Sequence, residues 1–234
     1  MHVFFLLKRF VLKFSLSSNL KKIFENSTWL IFEQIIKTLV GLFVGIWVAR
    51  YLGPKDYGLF NYAIAIVTLL TPISKLGLDG IGTRELVKQK NEIDIILGSV
   101  FWLKFFGSCL LLILSIAFAL ILRPDHYVFA AIVGVIALGF LLKSTETIDL
   151  YFRSVLKNKF SVLSKSIGLL LSGLFKIVFI LLGLNVLFFA FANFLEAMIT
   201  SVFLIIFFKK FSQRNFPFID FRVNEAKRLL NDSW

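Results

Sequence analysis

The chain has 234 residues, of which 58% are hydrophobic, 16% aromatic and 17% charged, and its mean hydropathy is +0.86. Soluble domains carry about 45–50% apolar and about 25% charged residues, so an ordinary soluble enzyme, a disordered tail and a disulfide scaffold are all excluded. Lys and Arg outnumber Asp and Glu by 26 to 14, and in so apolar a chain that excess reads as topology signal and contact with membrane lipids, not as nucleic-acid binding.

Residues 1–28 form a basic N-terminal segment in which Phe and Leu alternate with Lys. Its apolar run is broken by Lys8 and Arg9 and no small-residue cleavage site follows, so it reads as interfacial and cytoplasmic, not as a signal peptide. A helix crossing the hydrocarbon core needs roughly 20 mostly apolar residues. Six segments qualify, at about 29–49, 59–76, 98–122, 127–145, 162–182 and 186–208. The last two are split at Gly183-Leu184-Asn185, a turn signal inside an apolar stretch too long for one crossing.

Charged side chains at membrane depth are expensive and mark function more often than chance. The first span places Glu33 and Lys37 four apart, beside Gln34, Thr38 and a Gly41-x-x-x-Gly45 face that would let another helix approach closely. The second aligns Asn61, Ala65, Thr68 and Pro72, and the third brings Lys104, Ser108 and Ser115 near one another. The fifth aligns Lys165, Gly168, Ser172 and Lys176, and the sixth aligns Asn193, Glu196 and Thr200. Polar stripes on five of six helices imply a bundle around a wet cavity. Each has a duller explanation: Lys104, Lys165 and Lys176 can snorkel to a headgroup layer, Glu33 and Lys37 can neutralise each other, and serines and glycines can simply glue helices together. Glu196, mid-span and without a partner in sequence, is the hardest to explain structurally.

Counting Lys and Arg in the connections gives 18 on the side of the N-terminus and 3 on the other, namely Arg50, Lys55 and Arg123. The positive-inside rule then predicts both termini cytoplasmic. The expected architecture is an all-α integral membrane protein with a six-helix transmembrane bundle over 29–208 and a basic cytoplasmic tail over 209–234. No Walker loop, nucleophile elbow or cysteine cluster is present, and the histidines His2 and His126 lie far apart. No metal, no cofactor, no catalytic residue and no enzyme activity is expected.

At the end of the first span stands Val48-Ala49-Arg50-Tyr51-Leu52-Gly53-Pro54-Lys55-Asp56-Tyr57-Gly58-Leu59-Phe60. This resembles the signature of the polysaccharide-biosynthesis, O-antigen type flippases within the multidrug/oligosaccharidyl-lipid/polysaccharide exporter superfamily. Gly77-Leu78-Asp79-Gly80, Thr83-Arg84-Glu85-Leu86, Asp149-Leu150-Tyr151-Phe152 and Phe194-Leu195-Glu196-Ala197 extend the resemblance over about residues 19–234. Physically, Gly53 suits a positive-φ helix end, Pro54 the start of the next helix, and Asp56 its positive N-terminus.

The resemblance implies a transporter of two rocking bundles, of which this chain supplies one half. Lys21–Trp29 and Lys227–Trp234 share nearly the same order of residue types, as if a second repeat begins at the tail. The chain is expected to be an N-terminal half, as a truncated reading frame or fragment, or else a half-size protein that pairs with a second half-bundle or with itself. The implied substrate is a lipid-linked oligosaccharide on undecaprenyl pyrophosphate, flipped across a prokaryotic plasma membrane for O-antigen, capsule or other surface polysaccharide. Lys37, Arg50, Lys104 and Lys176 are the expected substrate-binding cations and Glu33 and Glu196 the expected ion-coupling acids. The alternatives are a drug/cation antiporter of the same superfamily and a fragment without activity of its own.

Overall fold

The computed structural model describes residues 18–89, 91–212 and 221–232, with side chains from residue 24 onward. The interfacial reading of residues 1–17 and the tail residues 213–220 and 233–234 lie outside the described residues. The described chain is helical, with no strand: α1 (Ser18–Lys75), α2 (Leu78–Lys88), α3 (Ile93–Leu122), α4 (Tyr127–Lys143), a 3-10 turn (Ser144–Glu146), α5 (Thr147–Ser154), α6 (Asn158–Leu181), α7 (Val186–Ser212) and α8 (Val223–Asn231). Five helical stretches are long and apolar enough to cross a membrane, Phe24–Lys88, Ile93–Leu122, Tyr127–Ser154, Asn158–Leu181 and Val186–Ser212.

The first of these is interrupted at Gly53, whose φ of 69° and ψ of 176° are not helical. A side chain there would be strained by the positive φ, and Pro54 pushes the preceding residue out of the α region while removing an N–H. The sequence expectation for the Gly53-Pro54 corner therefore holds. Glu33 and Thr71 would lie roughly 57 Å apart in one straight helix, yet both line the same cavity. The chain consequently doubles back at Gly53, leaving two arms, residues 18–52 and 54–75. The Gly183 turn also forms, with φ 69°; Leu184 N–H bonds Phe179 C=O at 3.0 Å and Asn185 Oδ1 accepts Leu187 N–H at 3.2 Å, capping α7.

Packing closes these helices into a ring: α1 on α3, α4 and α6, α3 on α4, α4 on α7, and α7 on α6. Two apolar cores stack along it. One, at the Gly53 and Gly183 end, gathers Val48, Phe60, Val67, Leu111, Phe129, Ile132 and Phe189. The other, at the far end, gathers Leu78, Leu86, Ile96, Leu97, Ile148, Phe152, Leu204 and Leu229. The short helices α2 and α5 pack on each other there, and α8 lies on α2 and α3 through buried Ala226 and Leu229.

One polar contact fastens the first arm to the corner between α5 and α6. Asn26 Nδ2 donates to Leu156 C=O at 2.6 Å and Asn26 Oδ1 accepts Asn158 N–H at 2.8 Å. Leu156 sits at φ 53°, a conformation a leucine adopts only when its surroundings hold it. Asn26→Ala is expected to destabilise the protein by about 1–2 kcal/mol through two lost bonds and an orphaned amide, read as a lowered melting temperature in detergent. An unchanged melting temperature would show the corner is held by other contacts.

Candidate functional site

A cavity of about 370 Å³ opens between the two arms of α1 and helices α4, α6 and α7, on the side away from Gly53. Its polar wall is made by Glu33, Lys37, Thr68, Thr71, Lys75, Lys143, Glu146, Lys165, Ser166, Glu196 and Thr200. Four lysines thus face three glutamates in one space. Lys37 and Lys143 have no carboxylate within ion-pair distance among the described residues, nor do Glu33, Glu146 and Glu196 have a cation. The Glu33–Lys37 neutralisation that the four-residue spacing allows is not made. Lys143 instead lies over the Phe140 ring at 4.4 Å. Pro72, having no N–H, leaves the Thr68 carbonyl without its helical donor, beside the cavity.

Close helix contact sets the position of Glu196. A Cβ at Gly168 would meet Thr200 Oγ1 at 2.2 Å and the Glu196 carbonyl at 3.0 Å, so only glycine lets α6 and α7 come this near. Above the main cavity, a smaller one of about 120 Å³ is lined by Gly41, Gly45, Tyr57, Asn61, Gly173 and Lys176. Leu169 belongs to both walls.

The sequence-predicted residues therefore separate. Glu33, Lys37 and Glu196 converge on the main cavity, and Lys176 lines the smaller one. Lys104 is buried and bonds Asp79 at 2.5 Å; it reaches only a narrow side cleft shared with Lys75 and Lys143. Arg50 is exposed and lines none of these spaces. Ser108 and Ser172 are glue: Ser108 bonds Ser74 at 2.6 Å and Ser172 donates to Ala192 C=O at 3.0 Å.

Sequence reasoning missed three acids that tie the helices together outside the cavity. Asp149, buried, takes Arg153 at 2.8 Å, Lys165 at 2.7 Å and the Ser161 hydroxyl. Glu85 takes Gln89 at 2.8 Å and Arg228 of α8 at 3.3 Å. Asp79, Glu85 and Asp149 all stand in the short motifs that carry the family resemblance, so the signal was present; Lys75, Gln89 and Arg153 stand four residues from their acids, but Lys104, Lys165 and Arg228 lie on other helices and were not readable from spacing.

The described residues thus form a ring of apolar helices around a charged cavity, with a doubled first helix. A solved structure described as the outward-facing conformation of a multidrug resistance MATE family transporter of the MOP superfamily has this fold, with a TM-score of 0.66 and 19% identity, over 91% of this chain and 50% of that one. The chain therefore spans half the length of that transporter. Comparison with curated proteins gives no match. The family model described as "Polysaccharide biosynthesis protein" matches residues 23–234, and the chain belongs to that family. The family match shows the family, and the structural likeness shows the fold.

Proposed function

We propose that this chain is one bundle of a flippase that moves a lipid-linked oligosaccharide from the inner to the outer leaflet of a prokaryotic plasma membrane, for O-antigen, capsule or a related surface polysaccharide. The observation that carries the reading is the main cavity, where Lys37 and Lys143, without an ion-pair partner among the described residues, and the tethered Lys75 and Lys165 line one space between the helices. Lysines suit the pyrophosphate of a polyprenyl-linked glycan, whose tail stays among the helices in lipid. In this reading the chain crosses six times, counting the two arms of α1 separately, with both termini cytoplasmic. Lys37 takes the head group, Lys176 receives it deeper in the membrane, Lys104 supports the wall from behind and Arg50 meets it at the outer mouth. Glu33 and Glu196 bind the coupling ion. An inside-negative potential of about 100 mV helps a doubly charged head group outward by roughly 4–5 kcal/mol.

The other half of the cavity comes from a second bundle, supplied by a further half or by a second copy. The Gly41 and Gly45 face, against which nothing lies within 4 Å, supports close approach there. A second reading, a drug/cation antiporter, is favoured by the three glutamates on the wall that have no ion-pair partner among the described residues, and by the likeness to a multidrug resistance transporter. Expression in a flippase-null bacterium separates the two. Flipping predicts restored surface polysaccharide that is lost on replacing Lys37 and Lys176 together by Gln. Restoration that survives this double change, or export of a lipophilic cationic dye in its place, would overturn the flippase reading.

A further inference from the structure

Two lysines of the main cavity are tied to acids that each hold a second cation away from it. Lys165 Nζ donates to Asp149 Oδ2 at 2.7 Å, while the same carboxylate takes Arg153 Nη2 at 2.8 Å and Nε at 3.1 Å and the Ser161 hydroxyl on Oδ1. Lys75 lies 3.4 Å from Asp79, whose other oxygen holds the buried Lys104 at 2.5 Å. Lys75 and Lys165 line the cavity; Asp79, Asp149, Lys104 and Arg153 do not. The arrangement occurs twice, once at the α1–α2 corner with α3 and once between α5 and α6, from residues unrelated in sequence.

Pulling a lysine from a buried carboxylate ordinarily leaves an uncompensated charge, which is strongly unfavourable. Here that obstacle is removed. When Lys165 leaves, buried Asp149 keeps a two-bonded guanidinium and a hydroxyl; when Lys75 leaves, Asp79, whose side chain is 43% exposed, keeps the Lys104 ammonium and water. Lys37 and Lys143 have no such tether and are standing cations of the cavity.

We propose that Asp79 and Asp149 are exchange counter-ions: they hold Lys75 and Lys165 while the cavity is empty and yield them to the pyrophosphate of the entering substrate, staying neutralised by Lys104 and Arg153. The proposal rests on the flippase reading above and assigns positioning roles to four residues outside the cavity. Its consequence is a cavity with two committed cations when empty and four when filled. The empty state is then less basic than its lysines suggest and less attractive to stray anions.

The test is binding of farnesyl pyrophosphate to the whole chain in detergent by titration calorimetry, with inorganic pyrophosphate and farnesol as companion probes. Arg153→Gln is expected to weaken farnesyl pyrophosphate about five- to tenfold, because Asp149 then retains Lys165, and Asp149→Asn to tighten it by a similar factor. Both effects should vanish to within about twofold when Lys165 is already Gln, since the coupling acts through that one side chain. Equal effects with and without Lys165 would reveal an ordinary field from distant charges and overturn the proposal. If the Asp149 variant does not fold, Lys104→Gln measured with and without Lys75→Gln carries the same test at the second site. Binding by the wild-type chain with Arg153→Gln and Lys104→Gln both unchanged overturns the exchange and leaves the flippase reading standing. No binding of either pyrophosphate, or farnesol bound as tightly, overturns the flippase reading and the exchange with it.

Discussion

Gly107→Ala is expected to destabilise the bundle by about 1–3 kcal/mol, although it adds a single methyl group to a good helix position. The added Cβ would lie 2.7 Å from the Ile73 carbonyl oxygen, 3.1 Å from the Ser74 oxygen and 3.2 Å from the Ser74 Cα. All three are backbone atoms of the second arm of α1, so no side chain can rotate away and α3 must move as a body. That movement also stretches the 2.6 Å bond between Ser74 and Ser108, which is buried where water cannot replace it. The matched control is Gly41→Ala, where nothing lies within 4 Å and replacing glycine in a helix gains up to about 1 kcal/mol. The two substitutions should therefore shift the melting temperature of the purified chain in opposite directions. Equal shifts would mean that α3 and the second arm are not in the close contact described.

That pair of glycines also shows where the sequence was legible and where it was not. The Gly41-x-x-x-Gly45 pattern announces a close-approach face by its spacing, yet among the described residues nothing comes within 4 Å of a Cβ placed at either glycine. Gly107 announces nothing and makes the tight contact, because its partner, Ile73-Ser74, stands on a different helix. Turns were read well for the same reason in reverse: Gly53-Pro54 and Gly183-Leu184-Asn185 act locally, and their φ of 69° follows from the residues themselves. Span ends ran past their apolar windows, as when α7 continues to Ser212 and α6 starts at Asn158, since helical hydrogen bonding persists into the headgroup region where hydropathy falls. The short helices α2 and α5 escaped a 20-residue window altogether. Within the candidate site, polarity at membrane depth found Glu33, Lys37 and Glu196. The topology count absorbed Lys143 as an inside charge, and no sequence rule could tell that Lys165 is held by Asp149 while Lys37 has no ion-pair partner among the described residues.

Lys37→Glu should have the largest effect on ligand binding of any single change in the cavity, and its sign decides between the two functional readings. Lys37 is exposed on the wall and has no ion-pair partner among the described residues, so reversing it orphans no buried acid and folding should be preserved. A unit charge about 7 Å from an anionic head group, at an effective dielectric of about 20, contributes roughly 2 kcal/mol. Reversal changes the charge by two units and sets a new carboxylate beside Glu33, one helical turn away. Farnesyl pyrophosphate binding should weaken by at least about thirtyfold, most of it recovered by Lys37→Arg. Arg50→Glu makes the same charge change outside the cavity and should alter affinity by less than about threefold, through a screened surface field. Equal losses for the two would mean that bulk charge, not the cavity, recruits the anion. If a lipophilic cation binds more tightly to Lys37→Glu while the wild type ignores pyrophosphate, the glutamates are the recognition groups. The antiporter reading then replaces the flippase.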